Sequence, residues 1–134
     1  MKKALILLIV VAVLAGCRAR QRDFSQFYSG DNNNVTRLIM QDGNSGETRE
    51  ITNQEEIQAF FDMLETTAFM MLKDHTPRLG YLYWVDIYED GEAVLRLTFS
   101  EESATINGVH YLLDNNVRAE LNQLYSTGMR IGSS

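Results

Sequence analysis

The stretch Tyr81–Leu113, "YLYWVDIYEDGEAVLRLTFSEESATINGVHYLL", decides the fold. It holds no proline; its first run is apolar on both faces, and its second alternates at every second position, the period of a strand with two unlike faces. "YLYWVDIY" and "AVLRLTF" flank the turn "EDGE". In the first run Tyr81, Tyr83, Val85 and Ile87 share one face, and Leu82, Trp84 and Tyr88 the other. In the second, Ala93, Leu95, Leu97 and Phe99 alternate against Val94, Arg96, Thr98 and Ser100. Asn107-Gly108 is a strong hairpin signal, because both central positions of a type I′ turn need positive φ. A two-residue loop there pairs Ile106 with Val109, Thr105 with His110 and Ala104 with Tyr111.

Upstream, "VTRLIM" and the turn cluster "QDGNSG" predict a hairpin of 35–40 with 47–51. "TNQE" then predicts a capping box, with Thr52 as N-cap and Glu55 at the third helical position. Ile57, Phe60, Phe61 and Leu64 follow at i, i+3, i+4 and i+7, one face of a helix, while "TTAFMML" reads either as its extension or as an irregular buried segment. Pro77 ends any helix before Tyr81. Downstream, "DNN" caps a last helix with Val117, Leu121, Leu124 and Tyr125 on one stripe, closed by Gly128. The expected class is α+β: an antiparallel sheet with two amphipathic helices packed on one face, in the order β-β-α-β-β-β-β-α. One such domain fills 35–130, followed by a tail, 131–134.

The first residues read differently. Lys2 and Lys3 precede an uncharged run from Ala4 to Gly16, the charged head and short apolar body of a secretory signal, and too short for a bilayer span of about 20 residues. Leu14-Ala15-Gly16-Cys17 resembles the lipobox of bacterial lipoproteins. That resemblance implies cleavage between Gly16 and Cys17, a diacylglyceryl thioether on Cys17, and an extracytoplasmic, membrane-held protein, or outer-membrane delivery in a Gram-negative cell. Cys17 is the chain's one cysteine, so it is expected as an attachment point and no disulfide can form. Residues 18–34, "RARQRDFSQFYSGDNNN", read as a flexible tether reaching about 20–25 Å, with Phe24, Phe27 and Tyr28 available for one amphipathic turn at the membrane surface.

Charge is segregated along the chain. The 134 residues carry −6, but from Val35 onward there are 16 acidic and 7 basic side chains, while Arg18, Arg20 and Arg22 crowd beside Cys17. A basic neck suits an anionic lipid surface. The acidic body argues against a nucleic-acid partner, which demands a basic footprint. The lipobox, the polar neck, "EITNQEEIQAFFDML" and "INGVHYLLDNNVRAELNQLY" together also look like small Firmicute lipoproteins of the YhfM-like group, a resemblance of order and periodicity that implies no site residues.

Catalytic constellations are not evident. His75, beside Asp74 in "KDHTPR", lacks the several convergent donors of a metal site, and His110 is expected as a solvated ring on the outer face of its hairpin. Asp42 and Asn44 begin like a calcium loop, but Gly46, Glu47 and Asn53 fall where a ligand, the glycine and the bidentate glutamate belong, so the segment is a turn. Glu89, Asp90, Glu92, Glu101 and Glu102 gather at strand ends, where solvated acids ordinarily collect. Met63, Met70 and Met71 read as core filler. No catalytic residue, metal or cofactor is expected. The expected function is binding of an envelope protein or cell-wall component near the membrane, with Trp84, Tyr88 and Leu82 as the candidate face. The alternatives are that Trp84 and Tyr88 are covered by loops or by the Phe69–Leu72 segment, and that an apolar pocket between sheet and helices carries a small ligand.

Overall fold

A computed structural model describes residues 21–73 and 80–131. The signal segment with Gly16 and Cys17, the arginines Arg18 and Arg20, the Asp74-His75 pair, Pro77 and residues 132–134 of the tail lie outside the described residues. The described strands are β1 (Gln21–Arg22), β2 (Val35–Asp42), β3 (Thr48–Ile51), β4 (Phe69–Met71), β5 (Tyr83–Glu89), β6 (Glu92–Phe99), β7 (Ser103–Ile106), β8 (Val109–Leu113) and β9 (Met129–Ile131). They form one antiparallel sheet in the order β1-β4-β8-β7-β6-β5-β2-β3-β9. Two helices, α1 (Gln54–Glu65) and α2 (Arg118–Thr127), lie on one face. Phe60 of α1 meets Phe99 at 6.4 Å and Tyr125 of α2 meets Tyr83 at 5.1 Å, and Tyr83 and Phe99 are cross-strand partners. The α+β class and the two helices on an antiparallel sheet are as the sequence predicts.

The β5–β6 hairpin shows how sequence sets register. Asp90 (φ 49°) and Gly91 (φ 84°) make a two-residue turn, and Glu89 faces Glu92. Continued without interruption, that register would set Asp86 against Leu95 and drive the apolar stripes of the two strands to opposite faces. A bulge at Val94 inserts one residue, so that Ile87 faces Leu95, Val85 faces Leu97 and Tyr83 faces Phe99. Burying both stripes together requires the bulge. Its by-product is that Ala93 leaves the inner stripe and joins Tyr88 on the other face, while Asp86 comes opposite Arg96. The Asn107-Gly108 turn, with φ 53° and 79°, keeps the expected register of Ile106 with Val109 and Thr105 with His110.

Four local expectations are corrected. Asn53, not Thr52, caps α1; its Oδ1 accepts from the N–H groups of Glu55 (2.8 Å) and Glu56 (3.2 Å). The helix ends at Glu65, and Phe69–Met71 is a strand, paired with β8 on one side and β1 on the other. Ile131 belongs to β9 on the far edge, not to a tail. Most consequential, residues 21–34 are not a free tether. Phe24 is 2% exposed and sits 5.8 Å from Phe61 and 6.4 Å from Phe69, while Phe27 packs on Phe69 and Tyr111. Aromatic burial of this size outweighs the entropy of fixing a short segment, so the body starts by Gln21 instead of Val35.

Candidate functional site

The helices cover one face of the sheet and leave the other open. On that open face the register lines up three rows across the middle strands: Arg37, Tyr88 and Ala93; Ile39, Asp86 and Arg96; Gln41, Trp84 and Thr98. β2, β5 and β6 therefore present two aromatic rings, two arginines and a carboxylate on one surface. Trp84 and Tyr88 are half-buried, and their neighbours explain why.

The Arg96 guanidinium lies 4.2 Å from the centre of the Trp84 ring, and its Nε and Nη2 donate to the two Asp86 oxygens at 2.6 and 2.8 Å. Asp86 is only 6% exposed, so its charge is held by a two-pronged partner that cannot release its proton. That bond to Asp86 also raises the Arg96 pKa above its ordinary range, against the opposing effect of burial. One row away, Arg37 lies 4.3 Å over the Tyr88 ring and donates to Glu50 Oε2 at 3.2 Å. The acid–arginine–aromatic arrangement thus occurs twice. Each stack fixes a long side chain flat against a ring and leaves guanidinium edges and ring margins at the surface. Such a surface suits flat contact with a partner carrying acceptors and apolar groups.

Leu82, the third residue expected on this face, lies apart from the other two. Its chain packs against one end of the core, and it lines an open depression of about 570 Å³ with Leu72, Tyr81, Leu112 and the turn Ser100–Ser103. Beside it, Gly43 lets the β2–β3 turn close on Tyr81; a Cβ there would sit 1.8 Å from the Tyr81 carbonyl oxygen. The Tyr81 hydroxyl accepts from Gln41 Nε2 at 2.8 Å. The Phe69–Leu72 segment does not cover Trp84 and Tyr88, because β4 lies on the other side of β6, β7 and β8.

Other expected features fall elsewhere. His110 is 8% exposed rather than solvated, with its Nδ1 2.6 Å from Thr105 Oγ1. Met63 is buried as filler, but Met70 and Met71 are 44% and 37% exposed. Glu89 accepts a hydrogen bond from Tyr28, and Glu101 pairs with Arg118 at 2.9 Å. Asp42 Oδ1 accepts from the Asn44 N–H within its own turn. Among the described residues no cluster of three or more potential metal ligands occurs. Between sheet and helices, where the carrier reading places a pocket, Phe61, Phe69, Phe99 and Leu64 are fully buried; a cleft of about 110 Å³ opens between α1 and α2 instead. Comparison with protein-family models, curated proteins and solved structures finds no match.

The Asp86–Arg96–Trp84 group was not foreseen as a unit. Its signal in the sequence is faint: an acid and a base, each alone among apolar neighbours, ten positions apart across a two-residue turn. Only the bulge brings them opposite each other.

Proposed function

We propose that the protein is a lipid-anchored, extracytoplasmic envelope protein without enzymatic activity, which binds an envelope protein or a cell-wall component through the open sheet face around Trp84 and Tyr88. The observation that carries the reading is the paired stacking of Arg96 on Trp84 and of Arg37 on Tyr88, each arginine held by an acid, on a face no helix covers. A preorganised surface loses little side-chain entropy on binding, so such groups serve association more than stability. Leu14-Ala15-Gly16-Cys17 supports the anchor, since two acyl chains on Cys17 hold a protein where one holds only marginally. The acidic body supports a partner other than nucleic acid.

The test is capture from native membranes with three forms of the protein: wild type, Trp84→Ser/Tyr88→Ser, and Cys17→Ala. A partner cross-linked to the wild type should be lost from the double variant while its circular dichroism is unchanged. It should be depleted with Cys17→Ala, which cannot be held at the membrane. Equal capture by the double variant removes the face from consideration.

A further inference from the structure

The N-terminal end of the body meets an uncovered apolar corner of the same open face. Gln21 of β1 is the register partner of Met70 in β4, and Met70 is the partner of Leu112 in β8. Partners across a sheet share a face, so these side chains stand in one row. It is the open face, because the next row inward, Ala104 with Tyr111, is buried under the helices' side. Met70 and Leu112 are 44% and 43% exposed. Leu72, two residues on from Met70, and Leu82 line the open depression with Leu112, together with the polar turn Ser100–Ser103. Gln21, four residues on from Cys17, stands at the outer margin of this row.

We propose that this corner, with Met70 and Leu112 at its centre, rests in the headgroup layer of the membrane that holds Cys17, as a second, non-covalent membrane contact. The inference rests on the lipid-anchor reading. What points to a bilayer, and not to another protein, is the length of the connection. Three residues, Arg18 to Arg20, separate Cys17 from Gln21, so a fully extended chain spans at most about 14 Å. A headgroup region is about 5–8 Å deep on each side of the hydrocarbon core. The β1 edge is therefore held at or just above the headgroups, and the side chains next to it are the first ones a bilayer meets. Methionine and leucine at an edge suit shallow insertion, and Arg18 and Arg20, next to Cys17 in the sequence, add positive charge that an anionic headgroup attracts. Glu101 and Glu102, which also line the depression, set a limit to the depth.

The experiment uses the full-length lipidated protein in vesicles of phosphatidylethanolamine and phosphatidylglycerol. With the Cys17 thiol taken up in its diacylglyceryl thioether, a single cysteine placed by Met70→Cys or Leu112→Cys carries an environment-sensitive dye. Val94→Cys, at the exposed bulge of β6, serves as the distant control. Brominated lipid should quench the dye at 70 and 112 roughly twofold or more above the dye at 94, as shallow insertion of these side chains requires. Intact mass before labelling reads the anchor separately. A diacylglyceryl mass on Cys17 with equal quenching at 70, 112 and 94 overturns the membrane contact and leaves the anchor standing. An unmodified Cys17 overturns the anchor and this inference with it.

Discussion

Asp86 is a carboxylate drawn out of water and held by one cation. Removing the partner should cost more than the pair contributes, because the charge stays buried. Arg96→Ala is therefore expected to destabilise the fold by about 2–3 kcal/mol, and Asp86→Ala/Arg96→Ala by less than the sum of the single changes. A double-mutant cycle from urea unfolding reads this coupling; strict additivity would show that the two groups act independently. Tyrosine ionisation gives a second residue-scale expectation. The Tyr28 phenol is pushed up from 10.0, chiefly by burial and then by its hydrogen bond to Glu89; the Tyr83 phenol is also raised, again chiefly by burial and then by Asp42. The unfolded chain thus gives up these protons at lower pH than the folded one. Stability from both groups is complete below pH 10 and declines as pH rises above it. Urea midpoints measured from about pH 8 to pH 11 should fall at the alkaline end, and Tyr28→Phe should flatten the fall.

At the scale of elements, the segment 21–34 is the sharpest case. Phe24→Ala should destabilise the body by about 3 kcal/mol, since the ring is buried against Phe61 and Phe69. A change below about 0.5 kcal/mol, the range of exposed positions, would mean that the segment is a tether after all. Gly43→Ala should cost about 1–3 kcal/mol through its collision with the Tyr81 carbonyl, and should loosen the edge where Leu82 and Tyr81 meet. These cases also show what could be read in advance. The Asn107-Gly108 hairpin was legible with its register and the Asp90-Gly91 hairpin as a strand pair without it, as were the helices with their four-residue stripes. β1, β4 and β9 were not. Each has two or three residues and owes its strand form to a partner far along the chain, so no local period announces it. Phe24 failed for a related reason: one aromatic ring in a polar context has the composition of a linker. Thr52 and Asn53 are neighbouring residues that are both good caps, and it is Asn53 that takes the extended N-cap backbone and accepts from Glu55 and Glu56. Of the candidate face, Trp84 and Tyr88 were legible from alternation, whereas Arg96 on Trp84 depended on the bulge at Val94 and Arg37 on Tyr88 on the pairing of β2 with β5.

For the whole molecule, the open face has two parts in a fixed relation. The apolar corner is centred on β4 and β8, and the aromatic–arginine surface begins with Arg96 on β6 and carries its two rings on β5. From β4 to β5 the sheet takes four steps, about 19 Å at the spacing of paired strands. A body held at its β1 edge would thus carry Trp84 and Tyr88 clear of the headgroups and facing along the envelope. The covered face, with α1 and α2, is left for water. The measurement that tests this arrangement most directly is site-specific photo-cross-linking in native membranes. One probe replaces Thr98, beside Trp84 on the open face, and another replaces Gln123 on the exposed side of α2. Adducts should form from position 98, vanish with Trp84→Ser/Tyr88→Ser, and be absent from position 123. Adducts from position 123 that survive the double substitution, with none from 98, would contradict the account.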